Sequence, residues 1–178
     1  MIAADPIVPG AAALAEAKAY LRASGGSEDA VIERMLASAL ELAERFTGQA
    51  LLVRGFVETV PAGAAWRRLG RRPVQAITKV EQLADGIATP VPSGSYSVDI
   101  DAGGSGWVRL LQPAQARLAR VHYMAGIAGD WPSLPAPLVQ EALRLTGHLF
   151  AHRGGQSEGE PPAAITALWR PYRQLRLA

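Results

Sequence analysis

The chain has 178 residues, 49% hydrophobic and only 6% aromatic, so a globular domain with a core of Leu, Val, Ile and Ala is expected. A net charge of +2 gives no argument for nucleic acid by itself, and the lack of cysteine excludes disulfides and thiolate metal sites, with a cytoplasmic origin as the expectation. No apolar run approaches the ~18 residues of a membrane span, and MIAADPIVPG lacks the basic-then-apolar order of a secretory signal, so neither is expected.

The first periodic segment, ALAEAKAYLRASGG, sets Leu14, Ala17 and Leu21 on one face and stops at Gly25-Gly26, the pattern of a short helix. Ser27 is the expected N-cap of the next helix. There Ile32, Met35, Leu36, Ala39, Leu40, Ala43 and Phe46 recur at threes and fours until Gly48. These two segments predict a helical hairpin over 12–48. The period then changes to that of strands. LLVRGFVETV (51–60), VQAITKVEQL (74–83), SYSVDI (95–100), GWVRLLQ (106–112) and LARVHYMAG (118–126) predict a compact antiparallel β-insert over 51–126, with a hairpin turn at Asp85-Gly86.

Helical period returns at Pro137, which suits a first helical turn because its missing N–H is not needed there. Leu138, Ala142, Leu145 and Leu149 form one stripe of a helix over 137–153. A polar loop leads to a last short helix over 162–170 and a tail over 171–178. The resulting expectation is a single α+β domain over 1–178. Its body is mainly helical (helical hairpin plus C-terminal helices), and it carries one inserted small antiparallel β-sheet.

Three features invite a chemical reading. His148 and His152, four apart, share a helical line with Glu141 and Arg144. Two imidazoles and a carboxylate suit zinc, but Arg144 one turn before His148 repels a cation, and no Glu follows His148 directly as in the zincin spacing. Arg144, His148 and His152 are therefore expected to form a polar, subunit-facing stripe, with no metal. Nucleophilic chemistry has no support: there is no G-x-S-x-G elbow, and GGSG (103–106) lacks the Lys and helix start of a phosphate loop. Asp99 and Asp101 could share a strand face, but nothing supplies them with a pocket. No catalytic residue and no cofactor is expected.

The second feature is WRRLGRRP, where Trp66 stands beside Arg67, Arg68, Arg71 and Arg72. Four guanidinium groups and an indole can contact phosphate or anchor a protein interface. Because the cluster lies between strands, where no helix can enter a groove, the subunit interface is the preferred role and a DNA-binding module the alternative. Arginine outnumbers lysine sixteen to two, a pattern that GC-rich coding produces without selection for phosphate. The third feature is the end, ALWRPYRQLRLA, whose aromatic and arginine residues suit docking on a partner.

The order of these parts is more specific than any one of them. A helical hairpin ending in ALELAERFTGQALL is followed by a β-insert and a strand running into VHYMAGIA. The helix LPAPLVQEALRLTGHLFAHR and a final PPAAITALWRPYR come next. From about residue 12 to residue 173 this order resembles the head–tail connector (adaptor) proteins of long-tailed phages and phage-like gene transfer agents. The resemblance implies a structural protein and no enzyme. Copies would form a ring, commonly a dodecamer, in the neck of the particle below the portal protein. Such a ring carries the stopper and tail proteins and lets packaged double-stranded DNA pass close by, without a membrane. Assembly would take place in the bacterial host cytoplasm. The residues matching the portal-docking segment would be Trp169, Arg170, Tyr172, Arg173 and Arg176. Two departures stand out: the loop IAGDWPSLP is longer than the family pattern, and RRLGRR has no counterpart in it.

Overall fold

The structure is a computed structural model, and it describes residues 1–111, 117–153 and 167–173. By its internal contacts the chain divides into two compact units. The first is Met1–Pro6 with Val53–Ile127, and the second is Ile7–Leu52 with Ala128–Ala178.

The first unit holds every strand among the described residues. β1 (Ile2–Ala4), β2 (Arg54–Pro61), β4 (Val74–Ala84), β5 (Ile87–Pro90) and β8 (Leu118–Ala125) form an antiparallel sheet in the order β1-β2-β8-β4-β5. β3 (Arg67–Arg68), β6 (Tyr96–Ile100) and β7 (Gly106–Leu110) form a second one in the order β3-β7-β6. Central strand β8 alternates with the period of two that a half-buried strand requires: Ala119, Val121, Tyr123 and Ala125 are buried and the residues between them are not. Phe56 and Val60 of β2 and Val74 and Val80 of β4 join that core, and Phe56 stacks on Tyr123 at 5.6 Å between ring centroids.

One polar network penetrates this core. Glu58, buried on β2, accepts hydrogen bonds from the Gly70 N–H at 2.7 Å and the Tyr123 hydroxyl at 3.0 Å, and Tyr123 in turn accepts from the Arg71 N–H. Burial, reinforced by the Glu58 charge, pushes the Tyr123 phenol well above its ordinary value. The turn between β4 and β5 is Asp85-Gly86, with φ of 50° and 82°, the left-handed pair that a two-residue hairpin needs.

The second unit is built on α1 (Gly10–Leu21), α2 (Asp29–Thr47) and α3 (Ala136–Ala151). Ile32, Leu36, Ala39, Leu40 and Ala43 of α2 and Leu138, Ala142 and Leu145 of α3 are all fully buried. Small Ala13 and Ala17 give α1 its buried face. Gly48 caps α2 in the left-handed region at φ 72°, its N–H donating to the Glu44 carbonyl. At the other end, Glu28 and not Ser27 is the N-cap, without a side-chain capping bond.

The expectation of a mainly helical body with one small sheet is overturned: the described residues hold three α-helices against eight strands in two antiparallel sheets. The added strands have clear causes. β1 is too short to show a period, and its register against β2 (Ile2↔Glu58) defines it. β3 is only Arg67–Arg68, charged residues that read as a loop until β7 pairs with them. β5 is the return arm of the Asp85-Gly86 hairpin. The helix expected over 162–170 lies largely outside the described residues; Arg170–Tyr172 form a single 3-10 turn.

Candidate functional site

Pairing between β3 and β7 sets Arg67 opposite Val108 and Arg68 opposite Trp107, and β6 continues those rows with Val98 and Asp99. Because side chains alternate across a strand, Arg68, Trp107, Arg109, Ser97 and Asp99 share one face, while Gly106, Val108 and Leu110 are buried on the other. Trp66, just before β3, lies under Arg109, whose guanidinium carbon sits 4.6 Å from the indole centroid. Arg68 lies 5.9 Å over Trp107. The result is an open ladder in which two indoles and two guanidinium groups alternate.

The ladder's partners are few. Arg68 donates to the Ser105 hydroxyl at 3.0 Å, and Arg109 has a buried Nε with no hydrogen-bond partner among the described residues. Asp101 accepts from the Ser105 N–H at 2.9 Å and the Trp107 indole N–H at 3.1 Å, and these bonds hold its carboxyl below the usual range. A guanidinium lying flat on a ring keeps its N–H edges free for a carboxylate or phosphate.

The expected cluster of Trp66, Arg67, Arg68, Arg71 and Arg72 is thus divided. Trp66 and Arg68 join the ladder, whereas exposed Arg67 is in register with Val108 on the alternate set of β3. Arg71 and Arg72 are half-buried beyond the strand, before the cis bond to Pro73. Trp107 and Arg109 were not singled out from sequence. Their signal was the matched alternation of Trp66-x-Arg68 and Trp107-x-Arg109, which only strand pairing joins.

On α3 the expected polar line is broken at its start. Glu141 is fully buried, with Oε1 accepting from Arg144 at 2.8 Å and Oε2 without a partner among the described residues. His148 and His152 do come together, at 4.2 Å between ring centroids, but His152 Nδ1 is engaged by the His148 carbonyl at 2.7 Å. No group of three metal-ligating side chains occurs among the described residues. A shallow groove of about 450 Å3 runs between α1 and α3, lined by Glu16, Ala19, Tyr20, Gln140, Leu143 and Arg144.

In the C-terminal segment Trp169 is buried, its ring 5.9 Å from that of Phe46 on α2. Arg173 lies 5.6 Å over the Phe46 ring, and Gln49 donates to the Tyr172 carbonyl at 2.6 Å. Arg170 and Arg173 are exposed and Tyr172 is half-buried, while Arg176 lies outside the described residues.

Along its whole length this chain is similar to chains in solved gene transfer agent (GTA) particles. With a chain from the neck of an empty GTA particle computed with C6 symmetry it shares 26% identity at a TM-score of 0.79, covering 100% of this chain and 97% of that one. A chain from the virion of a native GTA particle gives 25% identity and a TM-score of 0.76 over the same shares. One from the neck of a native GTA particle computed with C12 symmetry gives 24% and 0.76 over the same shares, a likeness of fold alone. No family model and no curated protein matches the chain. These likenesses support a structural protein of the neck region of a phage-like or gene transfer agent particle.

Proposed function

We propose that this chain is a head–tail adaptor, a non-enzymatic neck subunit that forms a ring below the portal, joins the DNA-filled head to the tail and lets DNA pass. The whole-length structural likeness to a neck chain, with a TM-score of 0.79, carries this reading. The symmetric neck assemblies that hold the similar chains are consistent with a ring, the closed form of a heterologous interface. Candidate contacts between copies are the ladder with Trp66 and Arg68, the nearby Arg67, Arg71 and Arg72, and the Arg144, His148 and His152 line.

In this reading the C-terminal segment docks on the portal protein. Trp169 acts as its anchor within the subunit, and Arg170, Tyr172, Arg173 and Arg176 are the residues assigned to the portal contact. Truncation after Trp169 keeps the buried indole. It is expected to leave a folded subunit and produce heads without joined tails, scored by electron microscopy. Complete particles from the truncated chain would sink the docking role.

A DNA-binding module on the same arginines is the lesser reading. Asp99 and Asp101 stand beside Trp107, and carboxylates there repel a phosphate backbone.

A further inference from the structure

We propose that His148 and His152 form a two-imidazole site for one late first-row transition-metal ion, such as Zn2+ or Cu2+, clipped across the last turn of α3. Such a site is a property of the subunit, whether or not copies assemble.

Helix α3 ends at Ala151, and His152 is its C-cap, its N–H donating to the His148 carbonyl at 3.1 Å. The His152 ring turns back to the same carbonyl, with Nδ1 2.7 Å from it. A carbonyl oxygen only accepts, so Nδ1 carries the proton and the neutral ring keeps its lone pair on Nε2, where a metal can take it. A hydrogen bond of this kind is how proteins fix the orientation of a ligating imidazole. The two rings stand 4.2 Å apart between centroids, tilted by 39°. Metal–nitrogen bonds of about 2.0–2.1 Å set two donors of a tetrahedron about 3.3 Å apart, within reach of rings so placed. His148 is half-exposed and His152 exposed, so an ion can reach them and water can fill its other positions.

Two arginines would oppose a cation here, and the fold pairs both. Arg144, one turn before His148, is held by the fully buried Glu141 at 2.8 Å. Arg153 is paired with Glu28 at 2.9 Å and lies 3.9 Å over the Phe150 ring, which is about 200° round the helix from His148. The carbonyls of a last helical turn carry partial negative charge, which favours a cation beside them. Among the described residues no carboxylate joins the pair, so Ca2+ and Mg2+, which need oxygen ligands, fit poorly, whereas imidazole suits the late first-row metals. His122 is placed differently, its Nε2 engaged by Glu81 at 2.9 Å.

With three histidines and no cysteine in the chain, the site can be tested by subtraction on the untagged full chain. Calorimetric titration with Zn2+ is expected to show binding that weakens about tenfold or more in H148Q and in H152Q and is unchanged in H122Q. Zn2+ is also expected to raise the melting temperature of the wild type and not that of H148Q/H152Q. If the double variant misfolds by circular dichroism, the wild-type ring signals decide: in nuclear magnetic resonance spectra those of both His148 and His152 are expected to shift on adding Zn2+. No binding of Zn2+ or Cu2+, binding that survives in folded H148Q/H152Q, binding lost in H122Q instead, or ring signals that stay in place overturns the proposal. Each of those results leaves the adaptor reading standing, since that reading fails on complete particles from the truncated chain.

Discussion

Two parts of this molecule use the same residue types for opposite ends. On the small sheet, Trp66 is 40% exposed and carries Arg109 on its face; near the C-terminus Trp169 is 1% exposed and packs against Phe46, over which Arg173 lies. In sequence, WRR and WRPYR look alike. The difference is which neighbours the fold supplies. A short edge strand leaves its indole open, whereas the end of α2 gives Trp169 a ring to bury against. Binding capacity follows from exposure, and stability from burial.

The largest effect should come from breaking that contrast directly. Trp169→Ala is expected to lower the unfolding free energy by about 3–5 kcal/mol, as for other large buried aromatics. Trp66→Ala should cost less than about 1 kcal/mol while weakening assembly. Denaturant melts of both purified variants check the pair, and equal losses would show that the exposure difference has no energetic meaning.

Glycines extend the comparison to the two units. A methyl group at Gly106 on β7 would stand 2.9 Å from both Leu69 and Val74, so Gly106→Ala should destabilise by about 1–3 kcal/mol. At Gly147 on α3 the added methyl meets only the Tyr20 and Leu21 side chains, the nearest being the ring of Tyr20, which is 52% exposed and able to move. There the helix preference for alanine should win, and Gly147→Ala should raise stability by up to about 1 kcal/mol. Thermal melts with opposite shifts are the expected outcome.

The smallest effect concerns pH. Glu81 is buried on β4, and hydrogen bonds from Lys79 first and His122 second hold its carboxyl below the ordinary 4.5. A lowered folded value means stabilisation that is complete above the unfolded value and is lost as pH falls through the folded one. The melting temperature should therefore drop as pH falls below the ordinary glutamate range, and Glu81→Gln should flatten that drop. An unchanged slope in the variant would remove Glu81 from the acid response.

Much of the fold was legible because it is periodic. The stripes of α2 and α3 and the alternation of β8 follow from spacing alone, and Asp85-Gly86 names its own turn. What escaped depends on partners distant in sequence. Ile2–Ala4 becomes a strand through β2, and Arg67–Arg68 through β7. Glu141 sits on the helical line of Arg144, yet it is buried, because burial on α3 covers more than the leucine stripe. The ladder was half visible, with Trp66 and Arg68 noticed and Trp107 and Arg109 passed over, since a cross-strand site has no local signature.

The most direct test of the central claim is a reconstruction of the neck in particles purified from the producing host. The adaptor reading predicts this fold in a closed ring between head and tail, with the C-terminal segment toward the portal. Complete particles whose neck contains no copy of the chain would contradict it.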